Sequence, residues 1–552
     1  MGSKFTRRSF LGGTAAGSVG LALGGSSSSP ARALPAPETI DASDPAMLDA
    51  LQAVSLLQSG ILHPGELLDA YFERSRAMDQ PVNAWIRIYP EVAYAAAEAA
   101  AGRLSAAGRA RENGSVPLVC GLPIGLKDLY AVRGLPVTAS SRVLDGNIAS
   151  GDSGVWRRLD EAGMVLMGHT HTHEFALGVA TSQVGNPWDF SRSVGGSSGG
   201  SAAALAACFT PLSAGTDTGG SLRIPASACG ITSIKPTYGR CSTAGVIPLA
   251  WTRDHTGPMA RSVADASLLL SYMAGADPGD PTTSAGPDVP ASGYPISAKG
   301  GSSPLTGRRI GLPGNALGDL PDALTVLFEE ALESARRLGA EVVDVNFPSV
   351  PASLMLGDRV EVGAYHQQFA DRIGLYAPDN ALLVGRDIAA LATPVFDYIG
   401  FERDRLRFQR DYNRMFYDSS LDAIMLPGAT VDGMKRNQYA GFSVFDGVTA
   451  NVIWANYAGV PVVSMPVGRS RETGMPFGVQ IGGLAWDEST IIEIGLELEF
   501  ESPQWREVPR WVGAPRRIPE VTVAQPGLGP EATNTRSDPP SLYALPTLSA
   551  RR

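Results

Sequence analysis

The chain has 552 residues, 44% hydrophobic and 18% charged, which is ordinary globular composition with enough apolar material for a large core. A formal net charge of −10 argues against nucleic acid or an anionic membrane as the main partner, because both recruit basic surfaces. The four cysteines, Cys120, Cys208, Cys229 and Cys241, have neither CxxC nor framework spacing and sit in apolar or small surroundings, so they read as buried free thiols.

The N-terminus reads as a leader. Thr6-Arg7-Arg8-Ser9-Phe10-Leu11 precedes a mild Gly/Ala/Leu stretch to Gly25, and Ala31-Arg32-Ala33 follows as an A-x-A cleavage site. This pattern predicts a twin-arginine export signal over residues 1–33, a mature chain from near Leu34, and a periplasmic or secreted location. Its apolar run of about 15 residues is short of the ~20 that span a bilayer.

Apolar residues then recur at helical spacing from Pro45 to Met78, broken at His63-Pro64-Gly65, which predicts two helices. An alanine-rich helix is expected over Glu91 to Ala106, then a polar turn at Glu112 to Ser115 and a buried strand over Pro117 to Leu126. Helices are predicted over Asp152–Ala162, Ser201–Cys208 and Ser262–Ala274, with a short strand at Met164–Met167. The Pro/Gly/Ser-rich stretch Asp277 to Leu305 reads as a loop.

A strand at Arg308–Leu312, a helix over Asp322–Leu338 and a strand at Glu341–Val345 follow. Residues 352–420 read as a helical elaboration rich in aromatics. Further strands are expected at 423–426, 460–465 and 477–481, then a helix over Asp487–Glu499; residues 511–552 read as a disordered Pro-rich tail. Alternating strands and helices predict one large α/β domain, residues 34–510, with a mixed, mostly parallel β-sheet covered by helices on both faces.

Residues 195–204, GGSSGGSAAA, contain G-x-S-x-G around Ser197, the pattern of a serine-hydrolase nucleophile elbow. Such an elbow needs a late histidine, yet only His255 and His366 follow. A phosphate loop would need a Lys-Ser/Thr pair after the glycines, which is absent, and a plain linker remains open on composition alone. A second Gly-Ser site, Gly215-Thr-Asp-Thr-Gly-Gly-Ser221-Leu-Arg-Ile-Pro225, lies 24 residues beyond Ser197, and Lys127 directly follows the buried strand. Glycines ahead of Ser221 allow N–H groups to turn inward on an oxyanion, and a poorly solvated lysine is available as a base.

Together these resemble the amidase signature family. The residues are Gly121 to Asp128, Asn186-Pro187 leading into Arg192 to Ala202, Asp217 to Cys229, Thr252 to Ser262, Gly459-Val-Pro461 and Pro476 to Ile481. The core motif spans 120–265, and the Thr252 to Asp265 segment looks most like the indoleacetamide and mandelamide hydrolase branch. The resemblance implies a Ser-cisSer-Lys triad: Ser221 as nucleophile, Ser197 as bridging serine on a cis peptide bond, and Lys127 as general base. It also implies an oxyanion hole from the N–H groups of Thr218, Gly219, Gly220 and Ser221, with Ser198, Asp217 and Arg223 supporting. A neutral Lys127 requires its pKa to fall from ~10.4 to about 7.5, about 4 kcal/mol of disfavoured charge, which burial can supply.

The activity implied is hydrolysis of a linear carboxylic amide, with ester, carbamate or oligoamide hydrolysis and a non-catalytic binding protein as alternatives. A glutamine-transamidating subunit is set aside because of the leader. The partner expected is a small-molecule amide, with no cofactor, metal or nucleic acid and no stable membrane association once the leader is removed; a homodimer is allowed. His169-Thr-His-Thr-His-Glu174 invites a metal reading, which the resemblance disfavours. The aromatics of 352–420, with Trp188 and Trp251, are candidates for core packing or pocket walls.

Overall fold

The computed structural model describes residues 36, 40–110, 116–316, 320–436, 451–505 and 507–512. The proposed leader, the 112–115 turn and nearly all of the C-terminal tail lie outside the described residues.

The first helices form where the spacing places them, each for a local reason. Ala50–Ser59 starts at Asp49, whose carboxylate accepts the Gln52 N–H, and stops at Gly60 in a left-handed conformation. Pro64–Val82 begins with proline at its first turn, and the His63 ring accepts the Gly65 N–H. The next helix, Pro90–Ala110, starts at its proline as well. Between them Trp85–Ile88 forms an unforeseen edge strand, β1.

Eleven strands form one sheet: β1, then β2 (Pro123–Lys127), β3 (Val165–Thr170), β4 (Leu212–Asp217), β5 (Thr232–Lys235), β6 (His255–Ala260), β7 (Arg309–Leu312), β8 (Glu341–Asp344), β9 (Ala423–Pro427), β10 (Val462–Arg469) and β11 (Pro476–Gly482). Their spatial order is β1-β3-β2-β4-β6-β5-β10-β11-β9-β7-β8. The sheet is mixed and carries helices, but it is not mostly parallel: among the described residues six of its ten pairings are antiparallel. Parallel pairing is confined to β3-β2-β4 and β8-β7-β9. The centre runs antiparallel because β10 and β11 form a hairpin across residues 470–475, and because β6 pairs antiparallel with both β4 and β5. Strands β4, β5 and β6 are small-residue, partly polar segments, so hydrophobic periodicity does not mark them.

The run expected as a strand from Pro117 is a strand only from Pro123. Pro117 and a left-handed Gly121 force turns in its first half. Residues 353–419 are helical as expected, through Ser353–His366, Pro378–Ala389 and Val395–Ser419. One large apolar cluster joins the sheet to its helices. A smaller one, including Leu129, Val143, Phe175, Ile247, Tyr365 and Phe369, couples the helical elaboration to the segment after β2. All four cysteines are buried free thiols.

Candidate active site

Lys127 ends β2, where parallel pairing with β3 and β4 buries it completely. Its Nζ donates to Ser197 Oγ at 2.7 Å, Thr216 Oγ1 at 2.7 Å and Ser198 Oγ at 3.0 Å. Burial pushes the Lys127 pKa down to about 7, and the carboxylates of Asp217 and Asp254 offset that only in part. As an ammonium the group fills all three hydroxyl contacts; as a neutral amine its lone pair must receive one O–H. Ser198 cannot readily supply it, because its Oγ donates to the Thr216 carbonyl at 3.1 Å. Ser197 and Thr216 are left as proton partners of the neutral amine.

The glycine-serine string is a tightly packed turn ahead of the helix Gly199–Ala206. The Gly196–Ser197 peptide bond is cis. A Cβ on Gly196 would lie 2.7 Å from the Ala180 backbone nitrogen, so this position admits glycine alone. The Ser197 carbonyl accepts from Thr172 Oγ1 (3.1 Å), Thr181 Oγ1 (3.0 Å) and the His173 N–H (3.0 Å). These three donors fix the backbone that carries the hydroxyl, and no spacing in the sequence points to Thr172 or Thr181.

Ser221 lies on the turn between β4 and the helix Arg223–Cys229. Its carbonyl accepts the Ser198 N–H at 3.3 Å, which joins the two glycine-serine segments directly. Ser221 is 7% exposed whereas Lys127 and Ser197 are 0% exposed, so of the three it is the least enclosed.

Asp217 and Arg223 hold this turn from behind. Arg223 donates to both Asp217 oxygens (3.0 and 3.1 Å), to Gln480 Oε1 (2.8 Å), Asn456 Oδ1 (2.8 Å) and the Val452 carbonyl (2.5 Å). Asn456 returns a bond to Asp217 Oδ1 at 2.8 Å. Burial alone would raise the Asp217 carboxyl, but the Arg223 guanidinium, aided by Lys235 and Asn456, holds it well below its ordinary value. Asp217 also accepts the N–H groups of Gly220 (2.8 Å) and Leu222 (3.1 Å). Of the four N–H groups expected to meet an oxyanion, that of Gly220 is bound inside the turn, to Asp217. Those of Thr218, Gly219 and Ser221 have no partner among the described residues.

A cavity of about 510 Å³ is lined by Thr216, which holds the Lys127 amine, and by Thr218 on the Ser221 turn; Lys127, Ser197 and Ser221 are not among its lining residues. Its walls include Leu129, Leu144, Ile247, Trp251, Tyr365 and Phe369, so part of the aromatic elaboration does line a pocket. Trp188 does not; its indole donates to the Cys229 carbonyl, with Arg469 over the ring. Asp254, on the cavity wall, accepts from Thr218 Oγ1 at 2.5 Å and from the N–H groups of Leu249 and Ala250, and burial raises its pKa to about 6. The histidines of the 169–174 run each have other bonds: His169 with Tyr89 and the Tyr130 carbonyl, His171 with Ser140, His173 with the Glu174 carbonyl.

A family profile described as Amidase matches residues 66–492. A glutamyl-tRNA(Gln) amidotransferase subunit from Anaeromyxobacter sp. (strain K) is 34% identical over 474 residues, which is 79% of this chain and 92% of that protein. The native peptide amidase of Stenotrophomonas maltophilia superposes with a TM-score of 0.70 at 28% identity, covering 84% of this chain and 98% of that one. A chain from a vestigial complex tied to the origins of an s-triazine catabolic enzyme gives 0.72 at 30% identity, covering 82% and 98%. The amidotransferase likeness overturns the exported location read from the N-terminus, since relatives of this extent are named for work on glutamyl-tRNA(Gln). The ground for setting aside a transamidating subunit falls with it. With a profile match across most of its length and 34% identity to such a relative over 79% of the chain, the chain belongs to the amidase family.

Proposed function

We propose that the chain hydrolyses the C–N bond of a carboxylic amide, releasing the acid and ammonia or an amine, with Ser221 as nucleophile. The observation that carries this reading is the wholly buried Lys127 amine at 2.7 Å from Ser197 Oγ, beside the turn that presents Ser221. In the first half-reaction Ser221 Oγ bonds to the carbonyl carbon while its proton passes to Ser197 and the Ser197 proton passes to neutral Lys127. The carbonyl oxygen takes the negative charge and is met by the N–H groups of Thr218, Gly219 and Ser221. The C–N bond then breaks as the proton returns through Ser197 to the leaving nitrogen, and water releases the acyl group by the same route. Ser198 and Thr216 position the amine; Asp217 and Arg223 shape the turn.

Ammonia release from a panel of primary amides tests this, alongside labelling by a serine-directed fluorophosphonate. Ser221→Ala is expected to lose both turnover and label, and full activity in that variant would sink the assignment. The second reading, transfer of amide nitrogen within a larger assembly, is favoured by the similarity to glutamyl-tRNA(Gln) amidotransferase subunits. It predicts that the chain alone turns over no free amide in the panel.

A further inference from the structure

The cavity beside Thr216 and Thr218 has a one-sided charge. Apart from the Tyr365 phenol, its ionisable lining among the described residues consists of Asp254, Asp280 and His255, with no lysine or arginine. His255 is kept neutral by burial and by Lys235 nearby, and its Nδ1 faces the Arg253 carbonyl at 2.5 Å. Asp280 is fixed by the N–H and hydroxyl groups of Thr243 and Thr282, as Asp254 is by Thr218, Leu249 and Ala250. No cation stands on the lining beside either carboxylate; Lys127 and Arg253, which interact with Asp254, lie behind it.

The arginines near this region are engaged elsewhere. Arg253 pairs with Asp358 at 2.5 Å and lies over the Tyr457 ring; Arg405 binds the Thr252 carbonyl and Glu402; Arg223 is closed around Asp217. The remaining walls are apolar and aromatic: Leu129, Leu144, Ile247, Trp251, Tyr365 and Phe369. At about 510 Å³ the space matches a small organic ligand.

A carboxylate carried into this space would lose its water, find no cation to replace it, and face two fixed carboxylates. We infer that the cavity receives an apolar, uncharged acyl group and rejects amides whose acyl chain bears a free carboxylate. Amino-acid side-chain amides of the glutamine type, which carry an α-carboxylate, fall among the rejected. The inference rests on the reading of Ser221 as nucleophile for the direction in which the acyl group lies, but selection by the cavity is a binding property measurable without turnover.

The test uses three matched probes: phenylacetamide, its 4-carboxy derivative and its 4-aminomethyl derivative. Binding to the Ser221→Ala chain is measured by calorimetry and ammonia release with the unmodified chain. The 4-carboxy probe is expected to bind about tenfold or more weakly than phenylacetamide, and the 4-aminomethyl probe to suffer no such loss. Gln367→Lys, which places a cation on the exposed part of the cavity lining, is expected to narrow the carboxy ratio severalfold. Equal or tighter binding of the 4-carboxy probe, an unchanged ratio in Gln367→Lys, or no binding of phenylacetamide overturns the inference. Retained discrimination in binding with no ammonia from any probe supports the cavity assignment and overturns the amidase reading instead.

Discussion

Lys127 Nζ and Thr216 Oγ1 are 2.7 Å apart, inside the same contact sphere that holds Ser197 Oγ. Burial brings the lysine to about 7, so the neutral base is the minority form below that pH and the majority above it. The expected profile of kcat/KM therefore rises about tenfold per pH unit on the acid side and levels off above a limb near pH 7. Thr216 accepts a bond from the ammonium, so Thr216→Val removes a group that favours the charged form and is expected to move the limb to lower pH. A limb that stays in place or moves upward in that variant would count against the role given to Thr216. Lys127→Ala is expected to lower kcat/KM by about 10²–10⁴ and to erase the limb.

The Arg223–Asp217 pair is wholly buried and has no water to fall back on. Removing one member leaves the other charged and unpaired, which costs about 3–5 kcal/mol. Arg223→Ala is expected to lose stability on that scale in urea unfolding, with activity falling as the Ser221 turn loosens. The pH dependence has a defined sign. The Asp217 carboxyl is held below its ordinary value of 3.8, so its contribution is complete above that value and is lost as pH falls toward its folded-state pKa. Asp217→Asn should flatten the acid side of the stability profile; a variant that unfolds in acid as the unmodified chain does would contradict this.

Why does the candidate site show in the sequence when the direction of the strands does not? Lys127, Ser197 and Ser221 stand in short segments whose glycines are required by contact, as at Gly196 against the Ala180 backbone, so the residues themselves mark the place. Strand direction carries no such mark. Leu212–Asp217 and His255–Ala260 are rich in small and polar residues, and their antiparallel pairing is set by tertiary packing. Thr172, Thr181 and Thr216 escape because a threonine that bonds a carbonyl or an amine looks like any other until the fold brings its partner near. The bond between the Gly220 N–H and the Asp217 carboxylate is hidden for the same reason: the two are three residues apart along a turn whose shape no spacing reveals.

Glu174, the last residue of the histidine-rich run, ties the helical elaboration to the core. Its carboxylate accepts from Ser141 Oγ at 2.6 Å on one oxygen, and from the Ala377 N–H at 2.9 Å and Asn380 Nδ2 at 2.7 Å on the other. Two of those donors open the helix Pro378–Ala389, which packs on Ser353–His366 and on the segment 367–375, and these supply the cavity walls Tyr365 and Phe369. Glu174→Ala removes the acceptor of all three bonds and leaves the buried Asn380 amide and Ser141 hydroxyl without it, at about 1–3 kcal/mol each. The expected outcome is faster amide hydrogen exchange confined to residues 367–389 and a KM raised severalfold for an amide with a bulky acyl group, with kcat changed far less. Exchange that accelerates evenly across the sheet would mean that Glu174 supports the fold as a whole, and a loss of kcat at constant KM would place its effect on the Ser221 turn and not on the cavity wall.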